Sequence, residues 1–152
     1  MKTLVLVRHG VSVYNRANIF TGWTDVPLTP EVEQEAIKAG KILKEKGLDF
    51  DLTYTSVLQR AIKTLWLILE QMDRMWLPEI KTWRLNEKHY GKLQGLNKSE
   101  MAAQYGEEQV LLWRRAYDVR PPLLSEDEIA DMRKESRYAD VDNIQSVSYT
   151  HL

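Results

Sequence analysis

A histidine between an arginine and a glycine follows a short apolar run near the start of the chain. The run is residues 4–7 (Leu-Val-Leu-Val), and Arg8, His9 and Gly10 come next. A neutral imidazole has a lone pair that can attack phosphorus near pH 7, and a guanidinium binds phosphoryl oxygens through paired donors. The tripeptide therefore indicates phosphoryl transfer, although a histidine that merely caps a strand explains it equally well.

Three further segments carry polar residues suited to such a site. Ser56 resembles a helix N-cap, which would place Arg60 near the positive end of that helix, where anions bind. Glu87 follows a predicted strand and has the chemistry of a general acid or base. Arg114 and Arg115 are adjacent in a predicted helix, so both reach one ligand only near a helix end. Each segment taken alone is more commonly a solvated arginine, a polar loop or an exposed pair.

The hydrophobic pattern predicts the elements that must hold these residues. Residues 4–7 indicate a strand buried on both faces, which is typical of a parallel sheet. Thr29 and Pro30 begin a predicted helix that ends at Gly47. Further predicted strands are residues 52–55 and 81–85, and further predicted helices are one capped by Ser56, residues 97–106 and residues 107–117. Strands that alternate with helices favour an α/β fold with a largely parallel sheet. After Pro122 the pattern predicts no strand.

Composition narrows the class of protein. The 152 residues suit one domain, with 43% hydrophobic and 28% charged residues. The absence of cysteine excludes a disulfide scaffold, thiolate metal sites and a cysteine nucleophile. The net charge of −1 gives no argument for nucleic acid, and no apolar run is long enough for a signal peptide or a membrane span. These observations predict a cytoplasmic protein with neither a nucleic-acid nor a membrane partner.

Metal chemistry and nucleotide-type phosphate loops find no support in the sequence. The three histidines, His9, His89 and His151, are far apart in sequence and have no accompanying carboxylate cluster. Neither GxGxxG nor GxxxxGK[ST] occurs. We therefore predict a site without a metal ion.

Taken together and in order, these segments resemble one family, the 2,3-bisphosphoglycerate-dependent phosphoglycerate mutases of the histidine phosphatase superfamily. The resembling segments are Leu4-Val5-Leu6-Val7-Arg8-His9-Gly10, Phe20-Thr21-Gly22-Trp23, Tyr54-Thr55-Ser56-Val57-Leu58, Arg60-Ala61, Leu85-Asn86-Glu87, His89-Tyr90-Gly91, Gln94-Gly95-Leu96-Asn97-Lys98 and Trp113-Arg114-Arg115. The Arg-His-Gly motif alone indicates the superfamily. The Thr-Gly-Trp, Leu-Asn-Glu and Gly-Leu-Asn-Lys segments narrow the resemblance to the mutases.

The resemblance implies a reaction and a set of roles. The protein would interconvert 3-phosphoglycerate and 2-phosphoglycerate through a phosphohistidine at His9, primed by 2,3-bisphosphoglycerate, with Glu87 as the acid and base. Arg8 and Arg60 would complete the catalytic set, and Arg8, Asn15 and Arg60 would bind the transferring phosphoryl group. The remaining substrate-binding residues would be Thr21, Gly22, Lys88, His89, Tyr90, Lys98, Arg114 and Arg115. The partner is a small phosphorylated substrate, and a homo-oligomer is possible.

The resemblance also implies a fold and its extent. The expected architecture is a three-layer α/β sandwich with a mostly parallel central sheet and helices on both faces. It covers residues 1–145 and leaves residues 146–152 as an off-pattern tail. The family's second catalytic histidine, in an Ala-His-Gly-Asn segment, has no counterpart here. We therefore expect a mutase domain that is incomplete at its C-terminus and whose activity depends on whether it can dispense with that histidine.

The sequence departs from the family pattern at three positions, and three alternative functions remain open. Val11 stands where the family has an acidic residue, Val32 where it has a glycine, and Lys88 where it has an arginine. The alternatives are a histidine-type phosphatase of the same superfamily, a non-catalytic mutase fragment that is poorly folded or binds only anions, and a nucleic-acid binder. The last of these rests only on scattered Arg, Lys and Trp residues.

Overall fold

The computed structural model describes residues 2–141 and has an α/β fold. Two parallel strands, β1 (Thr53–Thr55) and β2 (Glu79–Lys81), form a small sheet in which Tyr54 is opposite Ile80. The helices are α1 (Val13–Arg16), α2 (Pro30–Glu45), α3 (Gln59–Gln71), α4 (Lys98–Tyr105), α5 (Glu107–Arg115) and α6 (Glu126–Arg133). Short 3-10 turns lie at Trp83–Leu85, Gly91–Leu93 and Ser136–Tyr138. The connection from β1 through α3 to β2 is the parallel crossover that alternating strands and helices predict.

Helix α2 confirms the start and stop signals in its sequence. The Thr29 side chain accepts a hydrogen bond from the Val32 backbone N–H, and Pro30 occupies the first helical position, where its missing N–H costs nothing. The helix packs along α3 and comes closest at Gly40. A Cβ at Gly40 would lie 2.8 Å from the Ile68 carbonyl oxygen, so only glycine permits this approach.

The predicted strand over residues 4–7 is wrong for this structure. The segment forms no strand, and Leu4, Leu6 and Val7 are 80%, 74% and 51% exposed. A strand requires the backbone of a neighbour. Among residues 2–141, β1 and β2 pair with each other, and neither pairs with this segment. An apolar run predicts the preference for a sheet but not the presence of a partner strand.

Two further predictions need correction, and three are confirmed. Strand β2 lies at Glu79–Lys81, and residues 83–85 of the predicted third strand form a 3-10 turn. Helix α3 begins at Gln59 after Leu58, so Ser56 is not its N-cap; the Ser56 hydroxyl instead accepts from the Leu58 N–H at 3.2 Å. The prediction of β1 is confirmed, as are those of α4 and α5.

Two apolar clusters anchor the segment that connects α1 to α2. One contains Phe20 with Leu93, Val110 and Trp113. The other contains Trp23 with Tyr138 and Val141. Because Phe20 and Trp23 belong to different clusters, the backbone between them is held at both ends. Within residues 2–141, no helix combines the length and the apolar character that crossing a bilayer requires.

Candidate active site

His9 is held in one tautomer by its neighbours. Its Nδ1 lies 2.7 Å from the Gly10 carbonyl oxygen, and since a carbonyl only accepts, Nδ1 must carry the proton. The Arg60 Nε–H donates to His9 Nε2 at 3.2 Å, which requires a lone pair on Nε2. Both contacts therefore indicate the same tautomer. Nε2 is therefore the candidate nucleophilic atom, once its lone pair is released from the Arg60 N–H.

Arg60 is the buried centre of the site, with 1% of its surface exposed. Its Nη1 donates to the Thr24 carbonyl at 2.9 Å, and its Nη2 donates to the Gly22 carbonyl at 2.7 Å. Nη2 also contacts the Glu87 carboxylate at 3.2 Å. The fork of the guanidinium thus connects the loop before α2 to both His9 and Glu87. Its position in the first turn of α3 matches the prediction, although that helix lacks a side-chain cap.

The surroundings of His9 favour its neutral form. Burial is the largest influence and lowers the pKa of His9 below its ordinary value of 6.5. The hydrogen bond to Gly10 and the charge of Glu87 raise this pKa, whereas the charges of Arg60 and Arg8 lower it. The net shift is downward, so the imidazole is neutral and nucleophilic at pH 7.

The segment after Phe20 contributes a buried hydroxyl. Thr21 is 3% exposed, and its Oγ1 has no hydrogen-bond partner within residues 2–141. Gly22 has φ +53° and lies against the Gln94 side chain, whose Oε1 accepts from the Trp23 N–H at 2.7 Å. An unpaired buried hydroxyl is costly. It is therefore a candidate partner for a polar ligand.

Replacing Gly22 by alanine should destabilise the fold by about 1–3 kcal/mol. The residue has a positive φ, and an added Cβ would meet Gln94 Oε1 at 2.2 Å and the Lys88 carbonyl oxygen at 3.1 Å. Gly47 also has a positive φ but has nothing within 4 Å of a built Cβ, so Gly47→Ala is the matched control. Urea denaturation of both variants measures the difference. Equal losses would show that the contact with Gln94 is unimportant.

The charges of three arginines act on the buried Tyr90. Burial raises the pKa of Tyr90, and the charge of Glu87 raises it further, whereas Arg114, Arg115 and Arg8 lower it through their charges. Burial lowers the pKa of Lys98, and Arg114 lowers it further. Arg114 and Arg115 occupy the last turn of α5. They therefore lie at a helix end, which is where two adjacent arginines can both reach one ligand. The Lys98 ammonium also lies 5.8 Å from the centre of the Phe20 ring.

Two further predicted site residues, Lys88 and Asn15, have local partners. Lys88 Nζ donates to the Ala116 carbonyl at 3.3 Å, and burial lowers the pKa of Lys88. Asn15 accepts from the Ser12 N–H and hydroxyl as part of a capping box at α1. Asn15 is thus engaged at α1, whereas Arg8 is exposed beside His9. In residues 2–141, no group of three His, Asp or Glu side chains is arranged to hold a metal ion.

The three departures from the family pattern have distinct settings. Val11 is 51% exposed. Val32 is 2% exposed and packs against the backbone beside His9, since a Cβ at Gly10 would meet its Cγ1 at 2.8 Å. Lys88 offers one ammonium where an arginine would offer a fork of donors.

His89 is buried, and one of its ring nitrogens has no hydrogen-bond partner among residues 2–141. It is 5% exposed, and its Nδ1 accepts from the Gly91 N–H at 2.9 Å. The proton must then be on Nε2, which has no hydrogen-bond partner in the part of the chain that the structure describes. Burial lowers the pKa of His89 from 6.5 to about 4.

We expect His89 to make the fold sensitive to mild acid. The unfolded chain takes up a proton near pH 6.5 and the folded protein only near pH 4, so stability is complete above pH 6.5 and falls as the pH drops towards 4. At about 1.4 kcal/mol per pKa unit, the loss is about 3 kcal/mol. Denaturation at pH 7 and pH 4 measures it. His89→Gln keeps a hydrogen-bond acceptor but does not titrate, so its free energy of unfolding should fall correspondingly less between pH 7 and pH 4. Equal falls in the wild type and in His89→Gln would refute the assignment of this pH dependence to His89.

Gln94 is a site residue that sequence reasoning did not assign a role. Its Oε1 accepts from the Trp23 N–H and, at 3.4 Å, from the Tyr90 N–H, so it joins two segments of the site. It lies within the Gln94-Gly95-Leu96-Asn97-Lys98 segment of the resemblance. The uncharged amide inside that segment is the sequence feature that could have indicated this role.

The fold and the His9 site define the class of protein. The chain matches the histidine phosphatase superfamily (branch 1) over residues 4–139 and belongs to it. It is 60% identical, over 93% of its length, to the 2,3-bisphosphoglycerate-dependent phosphoglycerate mutase of Bacteroides fragilis. It spans 57% of that relative's length.

Solved structures agree on the architecture. The α-ribazole phosphatase of Shigella flexneri matches with a TM-score of 0.65 and 26% identity, over 92% of this chain and 67% of the other. The phosphoglycerate mutase of Bacillus anthracis matches with a TM-score of 0.57 and 27% identity, over 68% of this chain and 48% of the other. The predicted phosphoglycerate mutase-like α/β fold is thereby confirmed.

Proposed function

We propose that the protein interconverts 3-phosphoglycerate and 2-phosphoglycerate through a phosphohistidine at His9, primed by 2,3-bisphosphoglycerate. The observation that carries this proposal is the lone pair of His9 Nε2, which lies beside the guanidinium of Arg60. The 60% identity to a mutase of this type supports the choice of substrate. The same proposal places the protein in the cytoplasm.

The donor set fits a small acid that carries two phosphate groups. Arg60 lies at His9, whereas the charges of Arg8, Arg114 and Arg115 act on Tyr90, and the charge of Arg114 also acts on Lys98. The unpaired hydroxyl of Thr21 adds a neutral donor. One anionic group would bind at His9, and the other with the carboxylate near Tyr90. Bound 2,3-bisphosphoglycerate would supply the priming phosphoryl group.

The residues of the chain can divide the chemistry between them. His9 Nε2 forms a bond to phosphorus while the bond from phosphorus to the donor's oxygen breaks. Arg60 neutralises charge on the phosphoryl oxygens during the transfer. In its protonated form Glu87 gives a proton to the departing hydroxyl oxygen, and as the carboxylate that contacts Arg60 it takes the proton back in the return step. The Gly10 carbonyl keeps the imidazole oriented throughout.

The histidine-type phosphatase is the second candidate. Solved structures of phosphatases match over most of this chain, but at only 24–26% identity. Arg114 and Arg115 with Lys98 favour a substrate that has a second anionic group. A phosphatase would pass the phosphoryl group to water, and a mutase would return it to the acid.

A single assay separates the candidates. The full 152-residue chain is incubated with 3-phosphoglycerate and a trace of 2,3-bisphosphoglycerate, and both 2-phosphoglycerate and free phosphate are measured. We expect 2-phosphoglycerate to exceed phosphate, and its formation to require the trace bisphosphate. Predominant phosphate would favour the phosphatase. Neither product from a folded protein would favour the non-catalytic fragment.

A further inference from the structure

Trp23 has both of its N–H groups committed to other segments of the site. Its backbone N–H donates to Gln94 Oε1 at 2.7 Å, and its indole Nε1–H donates to the Glu87 carbonyl at 2.8 Å. The residue is 3% exposed, so water does not replace these bonds readily. Apolar packing accounts for the burial of Trp23 but not for the direction of the indole N–H.

Neighbouring rings fix the orientation of the indole. Tyr138 stacks on it with centroids 5.0 Å apart and an interplanar angle of 24°. His89 and Trp83 contact it at tilted angles, with centroids 5.1 Å and 6.0 Å away. A ring held by three aromatic neighbours has little freedom to rotate. The hydrogen bond to Glu87 therefore has a defined direction.

Glu87 lies where regular secondary structure provides no support. It falls between the 3-10 turns Trp83–Leu85 and Gly91–Leu93, outside every helix and strand of the described chain. Its carboxylate contacts Arg60 and its side chain is 32% exposed. The indole N–H of the buried Trp23 donates to the backbone carbonyl of Glu87. The preceding residue, Asn86, accepts from the Val57 N–H and donates to the Tyr138 hydroxyl, and the Trp23 bond fixes the carbonyl of Glu87 itself.

We propose that Trp23 is a positioning residue for Glu87, acting through the hydrogen bond from its indole N–H to the Glu87 carbonyl. Its catalytic consequence rests on the proposed role of Glu87 as acid and base. Without the bond, the carboxylate would move relative to His9, and a shift of about 1 Å in a reacting group can cost about 100-fold in rate.

The test compares Trp23→Phe with Trp83→Phe. Both changes replace an indole by a smaller aromatic ring in the same cluster, but only Trp23→Phe removes the hydrogen bond to Glu87. Glu87→Gln serves as the reference, because it removes the carboxylate itself from the site. One readout is the titration of the His9 ring by NMR, which requires no turnover. The other is the rate of His9 phosphorylation by 2,3-bisphosphoglycerate as a function of its concentration.

We expect Trp23→Phe to lower the pKa of His9 in the same direction as Glu87→Gln, because the charge of Glu87 raises that pKa. It should also slow phosphorylation at saturating donor by about 10-fold or more, with little change in the half-saturating concentration. Trp83→Phe keeps an aromatic ring beside the indole and leaves the bond to Glu87 in place, so it should change both readouts much less than Trp23→Phe. A folded Trp23→Phe protein whose His9 titration matches the wild type would overturn the proposal.

A second replacement covers the possibility that Trp23→Phe fails to fold. Substitution of Trp23 by 3-benzothienylalanine retains the shape of the indole and replaces only its N–H by sulfur. The proposal predicts the same fall in the pKa of His9, and a wild-type titration would refute it. If no protein, wild type included, is phosphorylated by 2,3-bisphosphoglycerate, the proposed function fails, while the titration still decides the role of Trp23.

Discussion

We expect replacement of Arg60 by methionine to lower the free energy of unfolding by about 3–5 kcal/mol. Methionine retains much of the apolar stem but none of the donors. The Gly22 and Thr24 carbonyls would lose their hydrogen bonds, and Glu87 would lose its cation. At 1% exposure, water has little access to repair these losses. Each buried acceptor left unpaired carries a desolvation penalty.

A second arginine provides the matched control for that experiment. Arg74 forms a two-pronged ion pair with Asp49, with N–O distances of 2.8 Å and 3.0 Å, but at the surface. Solvent screens such pairs, so Arg74→Met should cost much less. Urea denaturation of both variants at pH 7 gives the comparison. If the two losses are equal, Arg60 is not the buried centre that its contacts indicate.

We expect His9→Asn to reduce phosphorylation of the protein by 2,3-bisphosphoglycerate by at least about 1,000-fold, to background. Asparagine remains polar but has no nucleophilic nitrogen, and no other group described at the site replaces it. Incubation with labelled bisphosphate, followed by quantification of acid-labile phosphate on the protein, measures the effect.

Glu87→Gln serves as the comparison for His9→Asn. It retains the nucleophile and removes a proton donor, so labelling should slow by about 100- to 10,000-fold but still reach completion. Circular dichroism and a cooperative thermal transition establish that both variants are folded. Substantial labelling of His9→Asn would contradict the role of His9.

Local signals in the sequence were sufficient for several elements. Thr29 and Pro30 predict the start of α2 because capping and a fixed φ depend on adjacent residues only. Asn97 caps α4 by accepting from two backbone N–H groups, again within one turn. The predicted strand over residues 4–7 failed because pairing depends on a distant neighbour that the pattern does not contain.

The residues of the site show the same difference between local signals and long-range packing. Local composition favoured a solvated surface arginine at position 60, whereas tertiary packing buries that residue among carbonyls contributed by the Gly22–Thr24 segment. The resemblance, which rests on several segments at once, assigned Arg60, His9 and Glu87 to one site, and the structure brings the three together. The bond from Trp23 to Glu87 was not predictable, since it depends on the packing of Tyr138 from a segment far along the chain.

The most direct test is to locate the phosphoryl group after incubation of the full chain with 2,3-bisphosphoglycerate. The chain has three histidines, so peptide mapping at alkaline pH identifies the modified residue, and ¹⁵N-resolved NMR identifies the nitrogen. We predict phosphate on His9 at Nε2, because the Gly10 carbonyl engages the Nδ1 proton. Phosphate on His89, His151 or Nδ1, or no phosphate on a cooperatively folded protein, would contradict the account.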